Sequence, residues 1–87
     1  SEHRAFKNAS GSEFERLVAR AFRRAGYRVE EMGGIGDEGV DLVAIKPGVH
    51  AIIQCKAHGK AVSPAVVREL YGALQHEGAS IAYLATI

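Results

Sequence analysis

The dipeptide Pro47-Gly48, standing between two apolar runs, constrains the fold of this chain more than any other feature. Proline presets the backbone angle wanted at the first central position of a tight turn, and glycine accepts the positive φ wanted at the second. Residues 40–45 and 50–56 are therefore expected to pair as an antiparallel hairpin. With Lys46 facing Val49 across the turn, Asp41 falls opposite Gln54, and directly opposed residues share a face of the sheet. Lys56, two residues farther along, joins that face, while Cys55 points the other way. A turn one residue longer would break this registry.

The expected register gathers a carboxylate, a side-chain amide oxygen and an ammonium at the mouth of one hairpin. Hard divalent cations take oxygen donors of this kind, so the set suits metal-assisted attack on a phosphodiester. The approach to Asp41 is glycine-rich, Gly33-Gly34-Ile35-Gly36, followed by Asp37, Glu38 and Gly39.

Around the hairpin the periodicity changes. Phe14, Leu17, Val18, Ala21, Phe22 and Ala25 recur at helical spacing over 12–25, with Ser10 or Ser12 as candidate cap and Gly26 as the stop. Residues 27–32 read as a first strand. A second helix is expected from Ser63, with Ser63 as N-cap, Pro64 at the first helical position, Gly78 at the end, and Val66, Val67, Leu70, Ala73 and Leu74 turned inward. Residues 80–87 read as a buried strand, parallel to a neighbour because the second helix supplies the crossover. The order α-β-β-β-α-β over residues 1–87 makes one α/β domain, a mixed sheet flanked by helices.

The net charge of +1 conceals a segregation along the chain. Through residue 28, seven basic residues face three acidic ones; from 29 to 45 stand Glu30, Glu31, Asp37, Glu38 and Asp41 with no base among them; beyond, four bases face two acids. A basic surface around an acidic pocket suits a protein that must hold a polyanion and a divalent cation side by side. No apolar run approaches the ~20 residues of a membrane span, and a single cysteine excludes an internal disulfide; the expected setting is cytoplasmic. His3, His50 and His76 show no paired ligand spacing, so zinc is unsupported.

Several of these pieces resemble the Mrr-like branch of the PD-(D/E)XK nuclease superfamily, found in type IV restriction endonucleases. They are Gly11-Ser12-Glu13-Phe14-Glu15, Gly26-Tyr27, Gly36-Asp37-Glu38-Gly39-Val40-Asp41, Gln54-Cys55-Lys56 and Val67-Arg68-Glu69-Leu70-Tyr71-Gly72-Ala73-Leu74. They cover nearly the whole chain in the family's order. Gln54 stands where the wider superfamily carries a carboxylate.

The resemblance implies a three-layer restriction-endonuclease-like core and a metal-dependent DNA endonuclease using Mg²⁺, for which Mn²⁺ would substitute. On that pattern Asp41, Gln54 and the backbone carbonyl of Cys55 hold the ion, Glu15 supports it from the first helix, and Lys56 manages the attacking water. Lys60, Arg68 and His58 are the candidate DNA contacts, with Asp37 and Glu38 in supporting roles. A stripe of Arg16, Arg20 and Arg23 on the outer side of the first helix is a further candidate for a phosphate backbone. The Cys55 thiol reads as core filler.

The resemblance also implies a helix after the last strand; without it one sheet face would be left open, favouring a homodimer. Choice of DNA target would then fall to a separate recognition domain outside this sequence. The competing readings are a Holliday junction resolvase-like nuclease and a non-catalytic DNA-binding or assembly module.

Overall fold

The computed structural model describes residues 11–32, 39–56 and 62–86. Their elements follow the expected order: α1 (Gly11–Arg24), β1 (Arg28–Glu31), β2 (Leu42–Lys46), β3 (Val49–Lys56), α2 (Pro64–Glu77) and β4 (Ile81–Thr86). The sheet has strand order β1-β2-β3-β4, antiparallel across the first three strands and parallel between β3 and β4.

The Pro47-Gly48 turn behaves as its residues dictate. Gly48 takes φ 79°, Lys46 faces Val49, and the register carries through to Leu42 opposite Ile53. Parallel pairing of β4 starts at Ser80, whose N–H and hydroxyl both donate to the His50 carbonyl (2.8 and 3.0 Å) and whose oxygen accepts the His50 N–H at 3.0 Å.

Because side chains alternate along a strand, β3 supplies two cores at once. Ala51 and Ile53 join Phe14, Val18 and Ala19 of α1, together with Val29, Leu42 and Ala44. Ile52 faces the opposite way and packs with Val40 and with Ala73 of α2. Leu42, Ile52 and Ile53 are the largest side chains wholly removed from water, so the centre of the hairpin is where the helical layers meet.

Several boundaries and faces differ from expectation. The first helix already includes Ser12, which is therefore not its cap; the other candidate, Ser10, lies outside the described residues. Its buried stripe is also rotated: Ala19 is fully buried, while Ala21 and Ala25 are exposed. The second helix starts and stops as expected, with Ser63 Oγ accepting the Val66 N–H at 3.3 Å and the Gly78 N–H reaching Gln75 O at 3.2 Å. Val67, however, is 54% exposed, since α2 settles over β3 and β4 through Ala73, Leu70 and Leu74. Strand β4 borders β3 alone among the described residues, and Ile81 and Tyr83 each retain 36% exposure where a buried strand was expected.

Candidate active site

At Asp41 the hairpin departs from regular pairing. Leu42 is the partner of Ile53, yet the Asp41 N–H also donates to the Ile53 carbonyl at 2.9 Å, so two residues oppose one. This is a bulge, and it shifts alternation by one residue. Val40 consequently packs with Ile52 and Ala73 on the α2 side, although Leu42, two residues on, packs on the α1 side. The face-sharing of Asp41 and Gln54 expected from an unbroken register therefore does not hold. Instead Asp41 Oδ2 accepts the backbone N–H of Cys55 at 2.7 Å, a short charge-assisted bond across the end of the hairpin.

Glu15 lies nearer the sheet than a border position. On a helical wheel with Phe14 at zero, Glu15 falls at about 100°, between Phe22 at about 80° and the fully buried Ala19 at about 140°. It is half-buried, and its charge, with that of Asp41, bears on the Cys55 thiol. Burial foremost, then the Asp41 and Glu15 carboxylates, push that thiol from its ordinary 9.0 up to about 12. Cys55 accordingly stays protonated at neutral pH and is no nucleophile, in keeping with a core-filling side chain.

Gln54 points to the other side of the sheet, toward α2. It is 3% exposed, and its Oε1 is buried without a hydrogen-bond partner. A buried acceptor left without a donor is costly, and a cation would satisfy it. Gly39, with φ 88°, lies against this amide: a Cβ there would stand 2.8 Å from Gln54 Nε2 and would collide with Glu69 Oε1 from α2. Glu69 and Gly39 carried no assigned role in the sequence reading. On the helical wheel Glu69 sits about 40° from the buried Ala73, at the border of the inward stripe of α2.

Lys56 ends β3 opposite Thr86, half-buried, on Gln54's face by alternation. The arrangement thus brings Glu15 and Asp41 to Cys55, and Gln54 to Glu69 and Gly39, on adjoining sides of one strand end. Among the described residues no three His, Cys, Asp or Glu side chains form a ready-made cage. The donors present are a carboxylate, an unpartnered amide oxygen and main-chain carbonyls, which fits a magnesium-like ion held by few protein oxygens better than a softer metal.

Of the candidate DNA contacts, Arg68 is exposed on α2. Lys60 and His58 lie outside the described residues, as do Asp37 and Glu38. In the arginine stripe, Arg23 is engaged by the protein itself, donating to the Val29 carbonyl at 3.0 Å and approaching Glu31 at 3.7 Å. No helix among the described residues is long and apolar enough to cross a membrane.

Comparison with known proteins bears on the fold and the family. The chain shares its fold with the Holliday junction resolvase Hjc of Archaeoglobus fulgidus, at TM-score 0.69 and 22% identity over 90% of this chain and 66% of that one. It is 37% identical over 73 residues to an uncharacterised mitochondrial protein of Schizosaccharomyces pombe, a match covering 76% of this chain and 30% of that protein's length. The restriction endonuclease family model, that of the Mrr catalytic domain, matches residues 6–87. The chain belongs to the restriction endonuclease family.

Proposed function

We propose that this domain hydrolyses DNA phosphodiester bonds with Mg²⁺, or Mn²⁺ in its place. The observation that carries the reading is the buried, unpartnered Oε1 of Gln54, one residue from the Cys55 N–H that Asp41 holds. Asp41, Gln54 Oε1 and the Cys55 carbonyl would hold the ion, with Glu15 as an outer acid. The bound ion supplies Lewis acidity toward a phosphate oxygen and lowers the pKa of its water.

The remaining work falls to side chains. Lys56 orients the attacking water and steadies charge developing on the phosphate oxygens. Asp41, tied to the Cys55 amide, keeps its carboxylate oriented before substrate arrives. Arg68, with Lys60 and His58, takes the DNA backbone. Choice of DNA target belongs to a separate domain; the chain spans 30% of its S. pombe relative, which leaves length for one. The same reading takes the protein as a homodimer, with the exposed Ile81 and Tyr83 of β4 as the sheet surface it would cover; sedimentation velocity tests that.

Plasmid nicking with Mg²⁺ or Mn²⁺ tests the activity. The native chain should nick, while Asp41→Ala and Lys56→Ala should not. Equal nicking by all three would remove the assignment, and DNA retardation without cleavage would favour a binding module. A second reading, cleavage of four-way junctions, draws on the fold shared with the A. fulgidus resolvase. Cutting a four-way junction in preference to linear duplex would support it.

A further inference from the structure

An amide side chain has two unlike ends, and only one can serve a cation. Rotation by half a turn exchanges Gln54 Oε1 for Nε2 at little torsional cost, and the flipped form would present two N–H donors where an ion needs an oxygen. Something must select the orientation. Glu69 Oε1 and Gln54 Nε2 both come up against Gly39, with no Cβ between them, while Oε1 is the end left buried and unpartnered. A carboxylate only accepts, so its field favours the amide nitrogen nearby and drives the oxygen away.

The geometry points to Glu69 as a positioning residue that fixes the amide of Gln54 with Oε1 free for the cation. This rests on the metal-dependent reading above and adds to it a residue on α2 that touches neither ion nor substrate. It also accounts for how a site with glutamine in place of a carboxylate stays competent: the acid is kept, on the neighbouring helix, to orient a neutral ligand. The chemistry is that of carboxylates and carbonyls that orient metal ligands generally.

The test is Mn²⁺ binding to the full chain, followed by electron paramagnetic resonance of the free ion, with circular dichroism of each variant as the control for folding. Glu69→Ala should weaken Mn²⁺ binding about tenfold or more, and Glu69→Gln, which keeps an acceptor oxygen, should weaken it less. The decisive comparison is made on altered Gln54. A carboxylate has oxygen at both ends, so on the Gln54→Glu background Glu69→Ala should leave binding unchanged or tighten it. Methionine offers no oxygen in either orientation, so on a Gln54→Met background Glu69→Ala should have no further effect.

Equal loss in all backgrounds would make Glu69 a ligand or a structural residue and overturn the proposal, as would native affinity in Glu69→Ala. If Asp41→Asn also binds Mn²⁺ like the native chain, the metal-dependent reading itself falls. If Asp41→Asn loses the ion and Glu69→Ala does not, only the positioning role falls.

Discussion

The carboxylate of Asp41 accepts the backbone N–H of Cys55 at 2.7 Å, so the residue proposed to meet the metal also closes the end of the hairpin. Its two functions can be separated by substitution. Asp41→Asn keeps an acceptor of the same shape and should fold with nearly native stability while losing Mn²⁺ affinity. Asp41→Ala removes the acceptor as well and should cost about 2 kcal/mol, the usual loss for a charge-assisted hydrogen bond. Urea unfolding of both variants, beside Mn²⁺ titration, measures the two effects independently.

The Cys55 thiol gives a pH signature. In the native protein it holds its proton up to about 12, whereas in the unfolded chain it ionises near 9.0. Between those values the unfolded state binds fewer protons, so this contribution to stability is whole below pH 9, shrinks as pH rises and is lost by about 12. Thermal melts across that window should show a steeper decline for the native chain than for Cys55→Ala. Glu15→Gln removes one of the charges that raise the thiol and should speed its reaction with a disulfide reagent at pH 9.

At Gly39 a side chain would be strained by the backbone and would displace two neighbouring side-chain ends. The glycine's φ of 88° strains any L side chain, and a Cβ would meet both Glu69 Oε1 and Gln54 Nε2. Gly39→Ala should lower stability by about 1 kcal/mol or more and weaken Mn²⁺ binding in the same variant. Calorimetry and ion titration check the pair.

Arg23 is expected to matter for folding and not for DNA. Its guanidinium holds the Val29 carbonyl and approaches Glu31, tying α1 to β1. Arg23→Ala should cost about 1 kcal/mol and leave DNA retardation unchanged, which gel shifts and a melting curve would read directly.

Much of the fold was legible because its signals are local. Pro47-Gly48 fixed the hairpin register from Leu42 to Lys46, and Ser63-Pro64 with Gly78 bounded the second helix. The bulge at Asp41 left no such mark. Val40 and Leu42 are both apolar and two residues apart, the pattern of an unbroken strand, and only packing reveals that they serve opposite cores. Val67 misled for a related reason: its helical spacing matches the inward stripe, but α2 covers only part of the sheet, and Val67 lies beyond the covered part. At the site, the hairpin register joined Asp41 to Gln54 and Lys56 and turned Cys55 away, whereas the bulge brings Asp41, with Glu15, to Cys55. Glu69 borders the inward stripe of α2 on the helical wheel, but its place beside Gln54 follows only from their common approach to Gly39.

Strand β3 contributes Ala51 and Ile53 to one core, Ile52 to the other, and Gln54 and Cys55 to the site just beyond them. The proposed ligands are thus cut from the same plank as the scaffold. Breathing motions that would disorder them must first prise both helical layers off that plank, so amide protons of Ile52, Ile53 and Gln54 should exchange with solvent only when the entire molecule opens.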